Sequence, residues 1–176
     1  LTHLHKEHNC YYIAAPVMGR PETARAKKLN FLLAGDPAVY DTVKTLLNDA
    51  GAAATWEFGN DPSHANVAKI CSNFLIISAI EAMAEGINVA AKSGIDVQAW
   101  MNMLTQSIFA SPIYINYSNI LMKEIFQPAS FSLKLGLKDV NLVNEQASSV
   151  NAPMPIGKLL QQRLQECVMD GLGEHD

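Results

Sequence analysis

The sequence predicts a short α/β segment followed by an all-α domain, and three observations carry that reading. Short β-prone apolar runs bounded by glycine and proline are confined to residues 1–60. From Asp61-Pro62 onward no strand-like run appears, and apolar residues recur at helical spacing. With 176 residues, 49% of them hydrophobic and 17% charged, the chain can bury a real core and is not of disordered composition. The expected division is therefore 1–60 and 61–176.

Residues 1–9 read as the end of an amphipathic helix. Tyr11-Tyr12-Ile13-Ala14-Ala15-Pro16-Val17 is the first strand candidate, closed by Gly19 and Pro21. Residues 29–34 form the second, ended by Gly35-Asp36-Pro37, and 54–58 a shorter third before Gly59-Asn60-Asp61. Between them Asp36 is placed to cap a helix with Pro37 in its first turn, and Gly51 ends it.

The first long helix is expected over 62–93, with Val67, Ile70, Phe74, Ile77, Ile80, Met83, Ala84 and Ile87 on its apolar positions and Gly94 as its stop. At 1.5 Å per residue it is about 48 Å long, more than one domain's core requires. Further helices are expected near 96–107, 112–123, 130–150 and 155–169, each set off by Pro, Gly or Ser. Three strands are few for an open parallel sheet, so the α/β part is expected to be a remnant whose partner strands precede Leu1. The polar end Gly171-Leu172-Gly173-Glu174-His175-Asp176 is expected to stop without a closing element.

Charge and cysteine usage narrow the function class. Thirteen basic against seventeen acidic residues give a net charge of -4 with no basic cluster, which argues against nucleic-acid binding. Cys10, Cys71 and Cys167 are odd in number and widely spaced, so they read as reduced core thiols of a cytoplasmic protein. The longest apolar stretch, 74–80, is short for a membrane span, and 1–6 has no signal-peptide core. His3, His5 and His8 have no convincing carboxylate or thiol partner and read as a solvated helix end, so no metal site is expected. Trp100, Met101, Met103 and Phe109 read as packing residues, and Asp139 and Glu145 as a solvated helix face without a catalytic role.

Two residues stand out chemically. Lys69 and Asn73 lie four apart on the long helix, so both polar heads can reach one small ligand. An amine beside Val67 and Ile70 can serve as a general acid/base and an amide next to it can hold the reacting oxygen. The same spacing is also that of a solvated helix surface.

Three ordered segments, Ala14-Ala15-Pro16-Val17-Met18-Gly19-Arg20, Lys69-Ile70-Cys71-Ser72-Asn73 and Phe131-Ser132-Leu133-Lys134-Leu135-Gly136-Leu137-Lys138-Asp139, resemble the signatures of the 3-hydroxyisobutyrate and 6-phosphogluconate dehydrogenase superfamily. The resemblance implies the last strands of a Rossmann-like dinucleotide-binding domain over 1–60, joined by a long interdomain helix to a helical-bundle domain for substrate and oligomerisation over 61–176. It implies that Lys69 is the acid/base of a hydroxy acid dehydrogenase, that Asn73 orients the substrate oxygen, and that Lys138 lies by the nicotinamide end of the cofactor. The loop implied to hold a substrate carboxylate falls on residues 14–20, with Met18, Gly19 and Arg20 as its substrate-binding positions.

Departures from the family pattern bear on specificity. Ala14 stands for the usual aspartate, Met18 for the carboxylate-binding serine, Arg20 for the second glycine and Ser72 for the first asparagine of the pair. Arg20 either grips an anion itself through its fork of donors or faces solvent beside Pro21. No G-x-G-x-x-G occurs in the chain, so NAD or NADP is implied by resemblance alone and the choice between them stays open. A homodimer or homotetramer is likewise expected by resemblance. The competing readings are a nonenzymatic cofactor-binding or oligomerisation module on this fold, and an imine reductase-like enzyme, against which the presence of Lys69 speaks.

Overall fold

The computed structural model describes residues 1–176, mostly helical with one small sheet. It divides into two compact units, Leu1–Ser72 and Asn73–Asp176.

The first unit is built on the central strand β3 (Leu29–Gly35), whose Leu33 and Ala34 are fully buried. Along one edge β1 (Ile13–Ala14) and β2 (Val17–Met18) pair antiparallel with it in a single register, Ile13 opposite Gly35 and Val17 opposite Phe31. The single strand expected over residues 11–17 is thus broken in two. Pro16 is the physical cause: it has no amide to give the ladder, although its carbonyl still accepts from the Leu32 amide at 2.9 Å. Along the other edge β4 (Ala52–Glu57) runs parallel to β3, with Phe31 opposite Thr55. Only this pair is parallel; the sheet is mixed rather than wholly parallel.

Helix α1 (Thr2–Glu7) precedes the sheet, and α2 (Pro21–Arg25) follows β2. Asp36 caps as expected, its Oδ1 accepting from the Ala38 amide at 3.0 Å, but the first turn, Pro37–Val39, is a 3₁₀ turn before α3 (Tyr40–Asp49). The Gly59 carbonyl accepts from the Gly35 amide at 2.9 Å and the Tyr40 hydroxyl at 2.8 Å, tying the ends of β3, α3 and β4 together.

Helix α4 (Pro62–Lys92) runs unbroken for 31 residues, and Gly94 at φ +77° ends it. Its early turns belong to the first unit, where Ala65 packs with Ala14, Leu32 and Ala34. By length and composition alone α4 could cross a membrane, with a mean hydropathy of 1.6 over its most apolar part. That corrects the expectation drawn from residues 74–80, because hydropathy averages over a span rather than requiring an unbroken run. Glu81 and Glu85 interrupt it, and the core helix of a soluble protein meets the same criterion.

The second unit continues α4 with α5 (Val97–Gln106), α6 (Pro112–Lys123), α7 (Leu133–Ser149) and α8 (Pro155–Cys167). One core cluster joins Met83, Met101 and Tyr117; another joins Ile77, Val140 and Leu160. Of the expected packing residues, Met101 is buried, but Met103 and Phe109 lie at the surface. The three cysteines are unpaired as expected, yet Cys10 and Cys71 are exposed rather than core.

Two expectations about α7 and the chain end are corrected together. The helix starts at Leu133 instead of 130 because the Ser130 and Phe131 amides are held by Asp176 Oδ2 at 2.7 and 3.1 Å. The last residues do close on a neighbour, since the Leu133 and Lys134 amides donate to the His175 and Gly173 carbonyls. Residues 173–176 thereby satisfy the open amides of α7.

Where α7 meets α8, Asn144 Nδ2 donates to the Gly157 carbonyl at 3.0 Å, and Asn144 Oδ1 occupies the place a β-carbon on Gly157 would need. Gly157→Ala is expected to lower stability by about 2–4 kcal/mol, through overpacking and loss of this bond. A urea midpoint unchanged from the parent protein would contradict the close approach.

Candidate functional site

Asp61 sets the start of α4. Its Oδ1 accepts from the Ser63 amide at 2.9 Å, and this bond, reinforced by the Ser63 side chain, holds its carboxyl below the usual value. His64 Nδ1 lies 3.1 Å from the Phe58 carbonyl oxygen, closing the turn between β4 and α4.

Two turns on, Lys69 does not extend into open solvent. It is part-buried, and its Nζ donates to the Val17 carbonyl at 2.7 Å with Met18 Sδ at 3.4 Å. Val17 is the first residue of β2, directly after the Pro16 break. Met18 packs against the apolar cluster of Ala14, Leu32, Ala34 and Ala65, so the ammonium sits beside a thioether and apolar surface. Gly19 follows at φ +151°, and a β-carbon there would meet Leu29 Cδ2 at 2.6 Å, so the turn requires glycine. Arg20 is the N-cap residue of α2 and is half-buried. The first unit thus brings Lys69 onto the Val17-Met18-Gly19 loop.

Within the second unit, Asn73 is buried, at 8% exposure, and its Nδ2 donates to Asp139 Oδ2 at 2.6 Å. Asp139 is itself 6% exposed, and its Oδ1 pairs with the Lys138 ammonium at 2.8 Å, while Lys138 remains largely exposed. An amide, a carboxylate and an ammonium therefore form one chain from core to surface. Asp139 was expected on a solvated face, and the structure corrects this. The signal lay in the sequence: on α7 Asp139 falls in the stripe of Gly136, Val140, Val143 and Ala147, all buried.

The comparisons can be set against this geometry. Residues 63–176 match the family model described as the NAD-binding domain of NADP-dependent 3-hydroxyisobutyrate dehydrogenase. The chain belongs to the 3-hydroxyisobutyrate dehydrogenase family, within the β-hydroxyacid dehydrogenases. Residues 1–59 match the NAD binding domain of 6-phosphogluconate dehydrogenase. An uncharacterised oxidoreductase of Bacillus subtilis is 34% identical over 176 residues, covering 100% of this chain and 61% of that protein. The mitochondrial 3-hydroxyisobutyrate dehydrogenase of Drosophila melanogaster is 28% identical over 180 residues, covering 94% of this chain and 52% of its own length. The crystal structure of 3-hydroxyisobutyrate dehydrogenase from Salmonella typhimurium superposes with a TM-score of 0.86 at 22% identity, over 99% of this chain and 62% of that one. The chain thus spans between about half and three-fifths of these relatives.

The family's cofactor is NAD or NADP. Lys138, exposed yet paired with Asp139, is the residue of this chain that the resemblance sets beside the nicotinamide end of such a molecule. The sequence has no G-x-G-x-x-G to cradle the phosphates.

Two outcomes follow. Because the Asp61 carboxyl is held below its usual value of 3.8, its capping contribution is present above that value and lost as pH falls through the lowered one. The stability advantage over Asp61→Ala at neutral pH should fade below about pH 4, as read from denaturation midpoints. In the core, a double-mutant cycle of Asn73→Ala and Asp139→Ala should give a coupling above about 0.5 kcal/mol; strictly additive losses would show that the bond contributes nothing.

Proposed function

We propose that the protein carrying this chain is an NAD(P)-dependent oxidoreductase that interconverts a small hydroxy acid and its aldehyde or keto form, with Lys69 as general acid/base. Family membership supports the reaction class. The observation that carries the residue assignment is the hydrogen bond from Lys69 Nζ to the Val17 carbonyl, which draws a flexible cation onto the Met18-Gly19-Arg20 loop.

A nicotinamide cofactor, when bound, would supply the hydride acceptor for oxidation and the hydride donor for reduction. Lys69 takes the hydroxyl proton when the alcohol is oxidised and supplies one to the nascent alkoxide when the carbonyl is reduced. Asn73 orients that oxygen. Its amide nitrogen gives one proton to the buried Asp139, which fixes the side chain's rotamer and leaves the second N–H to donate to the substrate oxygen. Lys138 stands by the carboxamide end of the cofactor. Met18, Gly19 and Arg20 line the substrate's acidic end, with Arg20 as the side chain able to form a forked bond to a carboxylate.

In this reading residues 1–60 are the last part of a Rossmann-like domain, and 61–176 form the helical domain for substrate and self-association, joined through α4. The protein works as a homodimer or homotetramer in the cytoplasm. Many large apolar side chains, among them Leu75, Val89 and Ile108, are more than half exposed on this chain, which suits association.

In the intact protein, Lys69→Ala should lower kcat by about 10²- to 10⁴-fold while the dissociation constant for the nicotinamide cofactor, read by its fluorescence, changes little. Turnover near that of the parent protein would remove Lys69 from the chemistry. Cofactor binding without turnover across hydroxy acids and semialdehydes would favour a nonenzymatic module.

A further inference from the structure

The second unit contains a cavity of about 150 Å³ among α4, α6, α7 and α8, and no step of the proposed reaction uses it. Its wall is formed by Ile77, Tyr117, Phe131, Leu160 and Leu164, with Gly136 at the point where α7 comes closest to them. It is partly open to solvent, and a recess of that volume walled by Leu, Ile and Phe offers an uncharged apolar molecule such as benzene or xenon closer contact than it offers water. The charged groups at its rim already have partners: Arg163 Nε donates to Glu81 Oε1 at 3.3 Å, and Asp176 Oδ2 accepts from the Ser130 and Phe131 amides. A charged ligand would have to break those pairs; an uncharged one would not.

Gly136 keeps the cavity open. It sits inside a helix, where glycine is weaker than alanine. A β-carbon there would lie 3.8 Å from Ile77 Cδ1 and Phe131 Cε1, an ordinary contact. Packing therefore does not require glycine, and the missing methyl group is missing from the cavity wall.

We infer that this cavity is a binding site for a small uncharged apolar molecule, of the size of a benzene ring or a short branched hydrocarbon. The position gives such a molecule a route to the buried polar chain. Ile77 lies one turn beyond Asn73 on α4, and Gly136 one turn before Asp139 on α7, so an occupant braces both helices beside the Asn73–Asp139 bond.

The inference does not depend on Lys69 or on the reaction proposed above, and its test reads binding directly. In the intact protein, benzene at ten times its dissociation constant should raise Tm by about 3 °C, saturably. Xenon should give a saturable ¹²⁹Xe shift, and the Asn73 side-chain amide resonances should move with either probe. Gly136→Leu should abolish the benzene effect. If that variant does not fold, Gly136→Ala, which does fit, should weaken xenon binding at least twofold. Absence of both the Tm and ¹²⁹Xe responses overturns the site. So does a benzene response that survives Gly136→Leu, which would place binding elsewhere, or a xenon response lost whenever the protein self-associates, which would make a second copy the occupant.

Discussion

A buried carboxylate is the constraint on which the helical unit turns. Removing Asp139 from water costs several kcal/mol unless its oxygens find donors, and the fold supplies one for each: the Asn73 amide from α4 and the Lys138 ammonium from its own helix. The two bonds are not equivalent. Asn73 approaches from within the core and fixes the register of α4 against α7, whereas Lys138 reaches in from the surface and remains partly solvated. The result is a carboxylate that holds a neutral amide in one orientation at one end and a mobile cation at the other.

What the sequence made legible follows from which interactions are local. The long helix with its apolar positions, its Gly94 stop and the cap at Asp36 are written in spacing and in single residues, and they appear nearly where expected. Lys69 and Asn73 were singled out because residues four apart on a helix share a face and because they fall on the signature that the sequence resembles. What escaped was nonlocal. The burial of Asp139 depends on Asn73, 66 residues away. The delayed start of α7 depends on Asp176, 46 residues beyond Ser130. The break at Pro16 was nearly visible, because proline cannot donate in a ladder, but only the pairing with β3 shows that both halves keep one register. The exposed cysteines show the limit of composition: the turn-by-turn face of Cys71 on α4 mattered more than its apolar neighbours.

The loop at Val17-Met18-Gly19 illustrates how a family framework tolerates altered chemistry. Its backbone demands are met, with a proline before it, a glycine at positive φ and a carbonyl turned to the lysine. Its side chains are not the usual ones: a thioether stands where a hydroxyl would, and a guanidinium follows it. Main-chain geometry fixes where the Lys69 ammonium sits, and side chains decide what it meets. The two can change independently, which is why the class of reaction is easier to assign than the compound.

The closure of residues 173–176 over the start of α7 has a consequence for how the chain comes to be ordered. A ribosome delivers Ser130 and Phe131 long before Asp176, so the amides at the head of α7 wait in water for their acceptors. During that interval the helix carrying Lys138 and Asp139 is anchored by its apolar stripe and by the Asn73–Asp139 bond, without its first turn. Its first turn is completed by the last residues described, which makes the emergence of a single aspartate the event that finishes the polar end of the bundle.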